Sequence, residues 1–563
     1  MTSCNVLVLG IDGATLDLIL PWSQSGELPV FRQLIREGVH GRLRSTIIPS
    51  SAPAWTSFMT GKNPGKHGIF SFFQLIPGTY KIGITSGKQR DVKTLWSILS
   101  DEGKRVGVVN VPMTYPAESV NGFNIAGYPS PSYRDPYFSY PQGFVGEIQK
   151  TFGSYPAVPN TRYRLLKGDI AGAIEELFMG LELREKISHF LRSRQPLDFF
   201  CEVITETDQA QHFFWHLTDI HHPRYDPILV KRYGNVILSM YKRIDKFLGD
   251  ILEELSEEWT LLIMSDHGAC MNHKGNSTLQ SWLRNLGVLH VRRSPRHHLI
   301  HLAKMMMRLL YPLVKDFSPH RVKDMVAKLI PNLSLSVNDY MLGGTSFEEI
   351  AWDKTKAFWL WELLWVNLEG RQPNGIVPRG EEYEHLRDYL IAQLLQARDY
   401  KTGRRVIREV FKKEEVFRGT YLDEAPDLQI LWDESGVISG MIARREDELK
   451  DRVAFPREDD IRTGEHSPFG MVILWGRGIK KGHLLSNAEI VDLSPTILHM
   501  MDQPIPSDMD GRVLVDAFES EFLKRPIRYE KAPGDGSDGG EEAYGQEEMK
   551  QIREQLKGLG YLG

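Results

Sequence analysis

The sequence predicts an α/β protein with a central, mostly parallel sheet flanked by helices and an inserted α+β cap region. Three observations predict it. Short, continuous apolar runs recur along the chain; segments with helical apolar spacing lie between them; and acidic residues close three of the runs. A run that is apolar at every position suits a strand buried on both faces, as in a parallel or mixed sheet covered by helices. Alternation of such runs with amphipathic helices is the α/β pattern.

In order along the chain, "NVLVLGID" ends at Asp12, "RVGVVNVP" begins at Arg105, and "DFFCEVITETD" ends at Asp208. "WTLLIMSDHG" closes on Asp266 and His267, and the sheet resumes near residue 470 with "GMVILWGRG". Between them, "AGAIEELFMGLELREKISHFLRSR" (171–194) and "VILSMYKRIDKFLGDILEEL" (236–255) repeat apolar residues at three- and four-residue spacing, as helices do. In open α/β sheets, chemistry collects where strands end and loops begin. Acidic residues at three strand ends form a pattern that a single Asp would not.

A chain of 563 residues exceeds one simple core. We divide it into a core from 1 to 280, an inserted helical and α+β cap from 281 to 450, the final part of the core from 451 to 525, and a flexible linker with a terminal helix from 526 to 563. Within the insertion, 295–345 reads as mainly helical. Residues 350–450 mix the short strands "LLWVNLEG" and "PDLQILW" with the helix "EEYEHLRDYLIAQLLQAR". The stretch "EKAPGDGSDGGEEAYGQEE" (530–548) has few apolar residues and reads as linker.

Composition, with 41% hydrophobic and 25% charged residues, is that of a soluble globular protein. A net charge of −5 gives no basic footprint, so no nucleic-acid partner is expected. Cys4, Cys201 and Cys270 form no CxxC pair, and a reducing cytoplasm is the natural location. "MTSCNVLVLGID" has neither a basic leader nor a cleavage site. The nearest approach to a membrane segment, "HHLIHLAKMMMRLLYPLVK" (297–315), is interrupted by Lys304, Arg308 and Pro312. It reads as a helix packed on its own domain, with peripheral membrane contact as the alternative; no transmembrane segment is expected. Oligomeric state is not legible.

Asp12, Asp208, His212, Asp266, His267 and, in "TGEHSPFG", His466 form an inventory of metal ligands. Asp and His together suit zinc or manganese. Asp208 and His212, four apart, share one face of a helical turn. A further stretch, "PSSAPAWTSFMTGKNPGKHGIFSF" (49–72), carries five hydroxyls between Ser50 and Thr60. The residues alone leave open whether it is a surface loop or the seat of a nucleophile.

Taken in order, "GIDGA", "PSSAPAWTSFMTGKNPGKHGIF", "TETDQAQHFFWH", "MSDHG", "GEHSPFG" and "VDLSPTILHMMDQPIPSDMDG" resemble the alkaline phosphatase superfamily. The resemblance is to its type I phosphodiesterase/nucleotide pyrophosphatase-like branch, and most of all to its predicted phosphohydrolases and phosphomutases. It runs from about Val6 to about Leu514, and the closing "GLGYLG" is a familiar ending in the superfamily. It implies an alkaline phosphatase-like fold and two divalent ions, zinc foremost and manganese as the alternative. Asp208, His212 and His466 would hold one ion, and Asp12, Asp266 and His267 the other. The nucleophile, a shared ligand, would be Ser51, nine residues before Thr60 of the "TG" pair. The activity implied is hydrolysis of a small phosphodiester or phosphomonoester through a phosphoseryl intermediate. A phosphomutase uses the same parts; a sulfatase-like hydrolase or a non-catalytic binding protein are weaker alternatives.

Two departures matter. Ala54 stands where nucleotide pyrophosphatases carry an Asn that holds a phosphate oxygen, and Lys66 and Lys274 are the candidate replacements for that contact. Trp55 stands where sulfatases carry an Arg, and the histidines favour zinc or manganese over an oxygen-rich calcium site. His67 reads as structural and His273 as a loop histidine, while Trp55, Phe213, Phe214 and Trp215 read as core with a pocket wall as the alternative.

Overall fold

The structure, a computed structural model, describes residues 4–156, 159–292, 349–360, 362–443, 452–456, 461–531 and 544–561. Nine strands form the main sheet: β1 (Asn5–Ile11), β2 (Val39–Arg44), β3 (Val106–Val111), β4 (Gly122–Ala126), β5 (Ser139–Tyr140), β6 (Phe199–Ile204), β7 (Trp259–Met264), β8 (Phe469–Gly476) and β9 (His483–Glu489). Their order is β9-β2-β8-β7-β1-β6-β3-β4-β5. From β7 through β1, β6 and β3 to β4 all neighbours are parallel. β8 runs antiparallel between β2 and β7. The apolar runs are strands for the reason the sequence gives: β3 and β6 are buried at every position, because helices cover both faces of the sheet.

Five helices bear on the site: α1 (Ser51–Thr60), α2 (Ile170–Arg194), α3 (Glu206–Phe214), α4 (Val236–Glu254) and α5 (Gln546–Gly558). Side-chain caps start the two long ones, Asp169 accepting from the Gly172 amide for α2 and Asn235 from the Leu238 amide for α4. The expected fold class is the observed one. Two strands that escape a reading for apolar runs, β2 ("VHGRLR") and β9 ("HLLSNAE"), lie at one edge of the sheet. β2 alternates buried with exposed positions, and its arginines face outward.

A second, four-stranded antiparallel sheet is built from Ala357–Leu360, Leu363–Val366, Leu428–Trp432 and Ile407–Lys412. It has its own apolar core around Trp282, Phe358 and Leu394. Trp432 joins it to the main body, donating from Nε1 to Asn276 at 2.9 Å and stacking on His273. The helix read at 297–315, the helical reading of 295–345 and most of the 530–548 linker lie outside the described residues. No helix among the described residues is long and apolar enough to cross a membrane.

What places the site is the level at which β7, β1 and β6 end. Gly10 pairs with Met264 on one side and Ile11 with Ile204 on the other, so Asp12 emerges level with Asp266 and beside the start of α3. α3 is pinned from below. Glu206 and Arg184 of α2 form a two-pronged ion pair, the charged side chains 0% and 3% exposed. Replacing Arg184 by Met strands the Glu206 charge and is expected to destabilise the fold by about 3–5 kcal/mol, read from the denaturation midpoint. Adding Glu206→Leu should recover most of that loss, and a neutral single variant would refute the account.

Glu202 on β6 supplies a pH signature. Burial pushes its carboxyl up to about 7, outweighing the nearby Arg184 and Arg192. The folded state therefore holds a proton that the unfolded chain releases near 4.5. The group's contribution is complete below that value and is lost as pH rises to about 7. Glu202→Gln should gain about 3 kcal/mol on the wild type between pH 5 and pH 8. Parallel stability curves for the two proteins would contradict this.

Candidate active site

Asp12 leaves the end of β1 and turns inward because Gly13 follows in a left-handed conformation, φ +72°. Its carbonyl and that of Gly13 are held from α3 by the Thr207 hydroxyl (2.6 Å) and the Gln211 amide (3.0 Å). Asp12 Oδ2 accepts from Trp55 Nε1 and from the Tyr128 hydroxyl, each at 3.2 Å. Trp55 gets there by lying against Gly10, where any Cβ would come within 2.4 Å of its ring. Asp12 Oδ1 and Asp266 Oδ2 are buried with no hydrogen-bond partner. Both face His267 Nε2, at 3.5 and 3.3 Å.

The second half of the cluster hangs from α3 and a short antiparallel ribbon. Asp208 Oδ1 lies 3.3 Å from His212 Nε2 and 3.4 Å from His466 Nε2. His466 is carried over the site by Gly464–Ser467, which pairs with Gly268–Met271 immediately after His267. His267 stacks on His466 at 3.7 Å between ring centroids.

The three imidazoles share one orientation. His212 Nδ1 meets the Gly464 carbonyl at 3.1 Å, His267 Nδ1 that of Gly268 at 3.0 Å, and His466 Nδ1 that of Pro49 at 2.7 Å. A carbonyl only accepts, so each Nδ1 carries a hydrogen and each Nε2 points into the cluster, where it offers a lone pair once the imidazole is neutral. Fixing the outer nitrogen in this way is how proteins orient histidines that bind metals.

Ser51 opens α1, and its Oγ lies 3.1 Å from His267 Nε2. Three of the four neighbouring hydroxyls are otherwise engaged. Thr56 and Thr60 bond back to the carbonyls one turn earlier, and Ser57 meets His67 Nε2 at 3.0 Å. Of the five, the structure brings Ser51 to the cluster. Ser50 gives α1 no side-chain cap, so the first-turn amides of Ser51 and Ala52 are not satisfied in that way.

Electrostatics bind these parts together. Burial, Asp266 and Asp208 push Asp12 well above the usual carboxylate range, and burial pushes Asp266 up to about 7. Burial opposes ionisation of Asp208 as well, but His212, His466 and His267 outweigh it and hold the group below its ordinary range. Against burial, Asp208 raises His466 to about 9, whereas burial with His466 alongside drives His267 well below its usual value. These are the strains of a buried acidic pocket lacking counter-charge. Divalent cations would relieve them, and three groups of residues are close enough to hold one: Asp12, Asp266 and His267; Asp208, His267 and His466; and His212, Glu465 and His466. The orphaned carboxylate oxygens and converging Nε2 atoms fit such ions.

Of the two lysines expected to replace the phosphate contact, Lys66 is bonded elsewhere. Lys66 Nζ is bonded to Asp510 Oδ1 at 2.6 Å and to the Asp508 carbonyl at 2.7 Å, fastening its loop to residues 508–510. Lys274 takes a left-handed conformation, φ +61°, at the start of the helix Gly275–Leu286; no hydrogen bond or ion pair among the described residues joins its ammonium to the cluster. His67 is fully buried, accepts from the Ile69 amide, and is pushed down to about 3 by burial and Arg90. His273, pushed down to about 4 by burial, accepts from the Gly275 amide. Phe213 and Phe214 are core, as is Trp55, which the sequence did not mark as a donor to Asp12. The sequence reading also missed Glu465, beside His466 and paired with Arg462, as well as Tyr128 and Tyr561; the Tyr561 hydroxyl lies 2.8 Å from Ser51 Oγ.

A family model described as type I phosphodiesterase/nucleotide pyrophosphatase matches residues 6–451. The chain belongs to this family. Among solved structures it is similar to human ectonucleotide pyrophosphatase/phosphodiesterase 5, at 13% identity over 92% of this chain and 100% of that one, with a TM-score of 0.46. It is also similar to phosphonoacetate hydrolase from Sinorhizobium meliloti 1021, at 14% identity over 88% of this chain and 94% of that one, with a TM-score of 0.48. No curated protein sequence matches it. As a type I phosphodiesterase/nucleotide pyrophosphatase family member, the chain is a metal-dependent hydrolase of phosphoric esters.

The geometry grades the expected losses of metal. Asp12→Asn and His466→Ala remove inward-facing donors and should leave little bound divalent ion after gel filtration. Tyr128→Phe removes one hydrogen bond to Asp12 and should weaken metal affinity about 10-fold. Equal metal content in all three variants would refute the assignment.

Proposed function

We propose that the chain hydrolyses a small phosphoric ester, a phosphodiester ahead of a phosphomonoester, by way of a phosphoserine at Ser51. In this reading Asp208, His212 and His466 hold one divalent cation and Asp12, Asp266 and His267 a second, zinc or manganese. The observation that carries it is a buried cluster of three inward-pointing Nε2 atoms and three carboxylates, with the buried Ser51 hydroxyl at its His267 corner. When bound, such ions supply counter-charge, an activated oxygen nucleophile and stabilisation of the leaving oxygen.

The chain's own residues do the rest. Ser51 Oγ attacks phosphorus as the ester P–O bond opposite it breaks, and the departing alkoxide takes up the proton that the serine gives away. The α1 amides face the phosphoryl oxygens. Water then attacks the phosphoserine, restoring the hydroxyl and releasing the second product. Throughout, the backbone carbonyls of Pro49, Gly268 and Gly464 keep the imidazoles from turning.

The diester is favoured on charge. A monoester dianion calls for an extra cationic side chain, and Lys66 is committed to Asp510 while Arg462 pairs with Glu465. The unpaired cysteines, with Cys4 and Cys201 buried, suit the cytoplasmic location read from the sequence. The test compares bis-p-nitrophenyl phosphate with p-nitrophenyl phosphate on zinc- and manganese-loaded protein. The diester should turn over faster, Ser51→Ala should lower kcat by about 10³-fold or more, and Asp266→Ala should behave likewise. Acid-quenched wild type should carry the mass of one phosphoryl group on the peptide containing Ser51. Metal-loaded protein that cleaves neither ester would sink the proposal.

A further inference from the structure

The terminal helix α5 brings one more side chain to the site, and nothing in the family match assigns it a task. α5 is no loose appendage. Ile552, Leu556 and Leu559 are buried in the same core as the central sheet. Gln555 accepts from the Ser130 amide at 2.9 Å. The Leu559 carbonyl accepts at 2.8 Å from Gln209, the residue after Asp208 on α3. Gly560 then turns the chain at φ +94°, and a Cβ there would touch Phe213 and Arg462. The turn delivers Tyr561 onto the nucleophile, its hydroxyl 2.8 Å from Ser51 Oγ across 510 residues of sequence. The ring rests on Phe72 at 4.6 Å and presents itself edge-on to His212 and His466, at 6.4 and 6.0 Å.

Reacting atoms in a near-attack arrangement lie about 3–3.5 Å apart. A hydroxyl 2.8 Å from Oγ therefore stands within the space that an incoming phosphoryl group fills. Its place is polar and shared with the nucleophile. The other phenol nearby, Tyr128, is turned to Asp12 Oδ2. Neither Lys66 nor Lys274 reaches the cluster by a hydrogen bond or ion pair among the described residues, which leaves a phosphoryl oxygen without a side-chain donor from those two positions.

We propose that Tyr561 is a catalytic residue of this site: its hydroxyl marks the position of a non-bridging phosphoryl oxygen, gives way when substrate arrives, and donates a hydrogen bond to that oxygen. The inference rests on the reading of Ser51 as the nucleophile. It makes the segment after α5 part of the active site, and it gives the site a neutral donor, which suits the single charge of a diester. The Gly560 turn, anchored at Leu559 on one side, lets the ring shift without unseating α5.

The test uses the full-length, metal-loaded chain with Tyr561→Phe, which keeps the ring against Phe72. With bis-p-nitrophenyl phosphate, kcat should fall by about 10²-fold with KM moved far less, as for loss of one preorganised donor. Metal content and melting temperature should stay at wild-type values. Vanadate, a phosphoryl-like anion, should bind the variant at least about 10-fold more weakly by calorimetry. A chain ended after Gly560 should show the same losses. Unchanged or higher turnover and unchanged vanadate affinity would overturn the proposal and make Tyr561 a plug. Vanadate binding also separates the two readings: if neither ester is cleaved but the Phe variant loses vanadate affinity, the role of Tyr561 stands while hydrolysis at Ser51 falls.

Discussion

Three carboxylates, those of Asp12, Asp208 and Asp266, share a buried pocket with no lysine or arginine among the described residues bonded to them, and that constraint governs the structure around them. Buried charge of one sign is tolerated only with compensation at short range. The parallel strands β7, β1 and β6 create the crowding by ending level with one another, about one strand spacing apart. Without counter-charge, two of the carboxyls move toward the protonated state while the third draws a proton onto His466. Divalent cations held by these residues would supply the missing counter-charge. The core pays for the crowding with buried groups such as the Arg184–Glu206 pair, which hold α3 and therefore Asp208 in register.

Orientation is the second constraint, and it is met by backbone. Each imidazole is fixed from behind by a carbonyl, and those carbonyls belong to Pro49, Gly268 and Gly464. Pro49 lies two residues before Ser51, so the segment presenting the proposed nucleophile also sets the tilt of His466. Gly464 pairs with Met271 and Gly268 with Ser467 in the ribbon that carries His466, and each glycine would clash if it bore a side chain: a Cβ at Gly464 would strike the Gln211 carbonyl and one at Gly268 the Phe469 carbonyl. Nucleophile, histidines and ribbon are therefore one mechanical unit, and a change in any loop reaches the others through hydrogen bonds of 2.7 to 3.1 Å.

How much of this was legible in the sequence depends on how local each signal is. Strands buried on both faces write themselves as apolar runs, so β1, β3, β6, β7 and β8 and the acidic residues at their ends could be read directly. Asp208 and His212 share a helical face, which is also local. Ser51 could not be told from four neighbouring hydroxyls by residue type; the resemblance to the superfamily singled it out, and the structure accounts for Thr56, Ser57 and Thr60 by bonds elsewhere. Lys66 was misleading because its partner, Asp510, is 444 residues away. Tyr561 was invisible for the same reason: a side chain's value to a site depends on where the fold delivers it, and no pattern near residue 561 records a contact with residue 51. β2 and β9 were hidden by polar residues that sheet edges accept.

The net charge of the site bears on which ester it takes. In the proposed arrangement two divalent cations bring four positive charges against three carboxylates, leaving one. The neutral imidazoles add none, and Glu465 is matched by Arg462. A phosphodiester anion closes the balance with its single charge, and its remaining phosphoryl oxygen asks only for neutral donors of the kind that α1 amides and the Tyr561 hydroxyl offer. A monoester dianion would leave an excess negative charge in a pocket where burial already makes such charge costly. In the proposed reading a monoester calls for a lysine or arginine aimed at the phosphoryl group, and this chain commits Lys66 to fastening a loop. Substrate preference, in that reading, rests on which charges the fold keeps away from Ser51 as much as on those it gathers there.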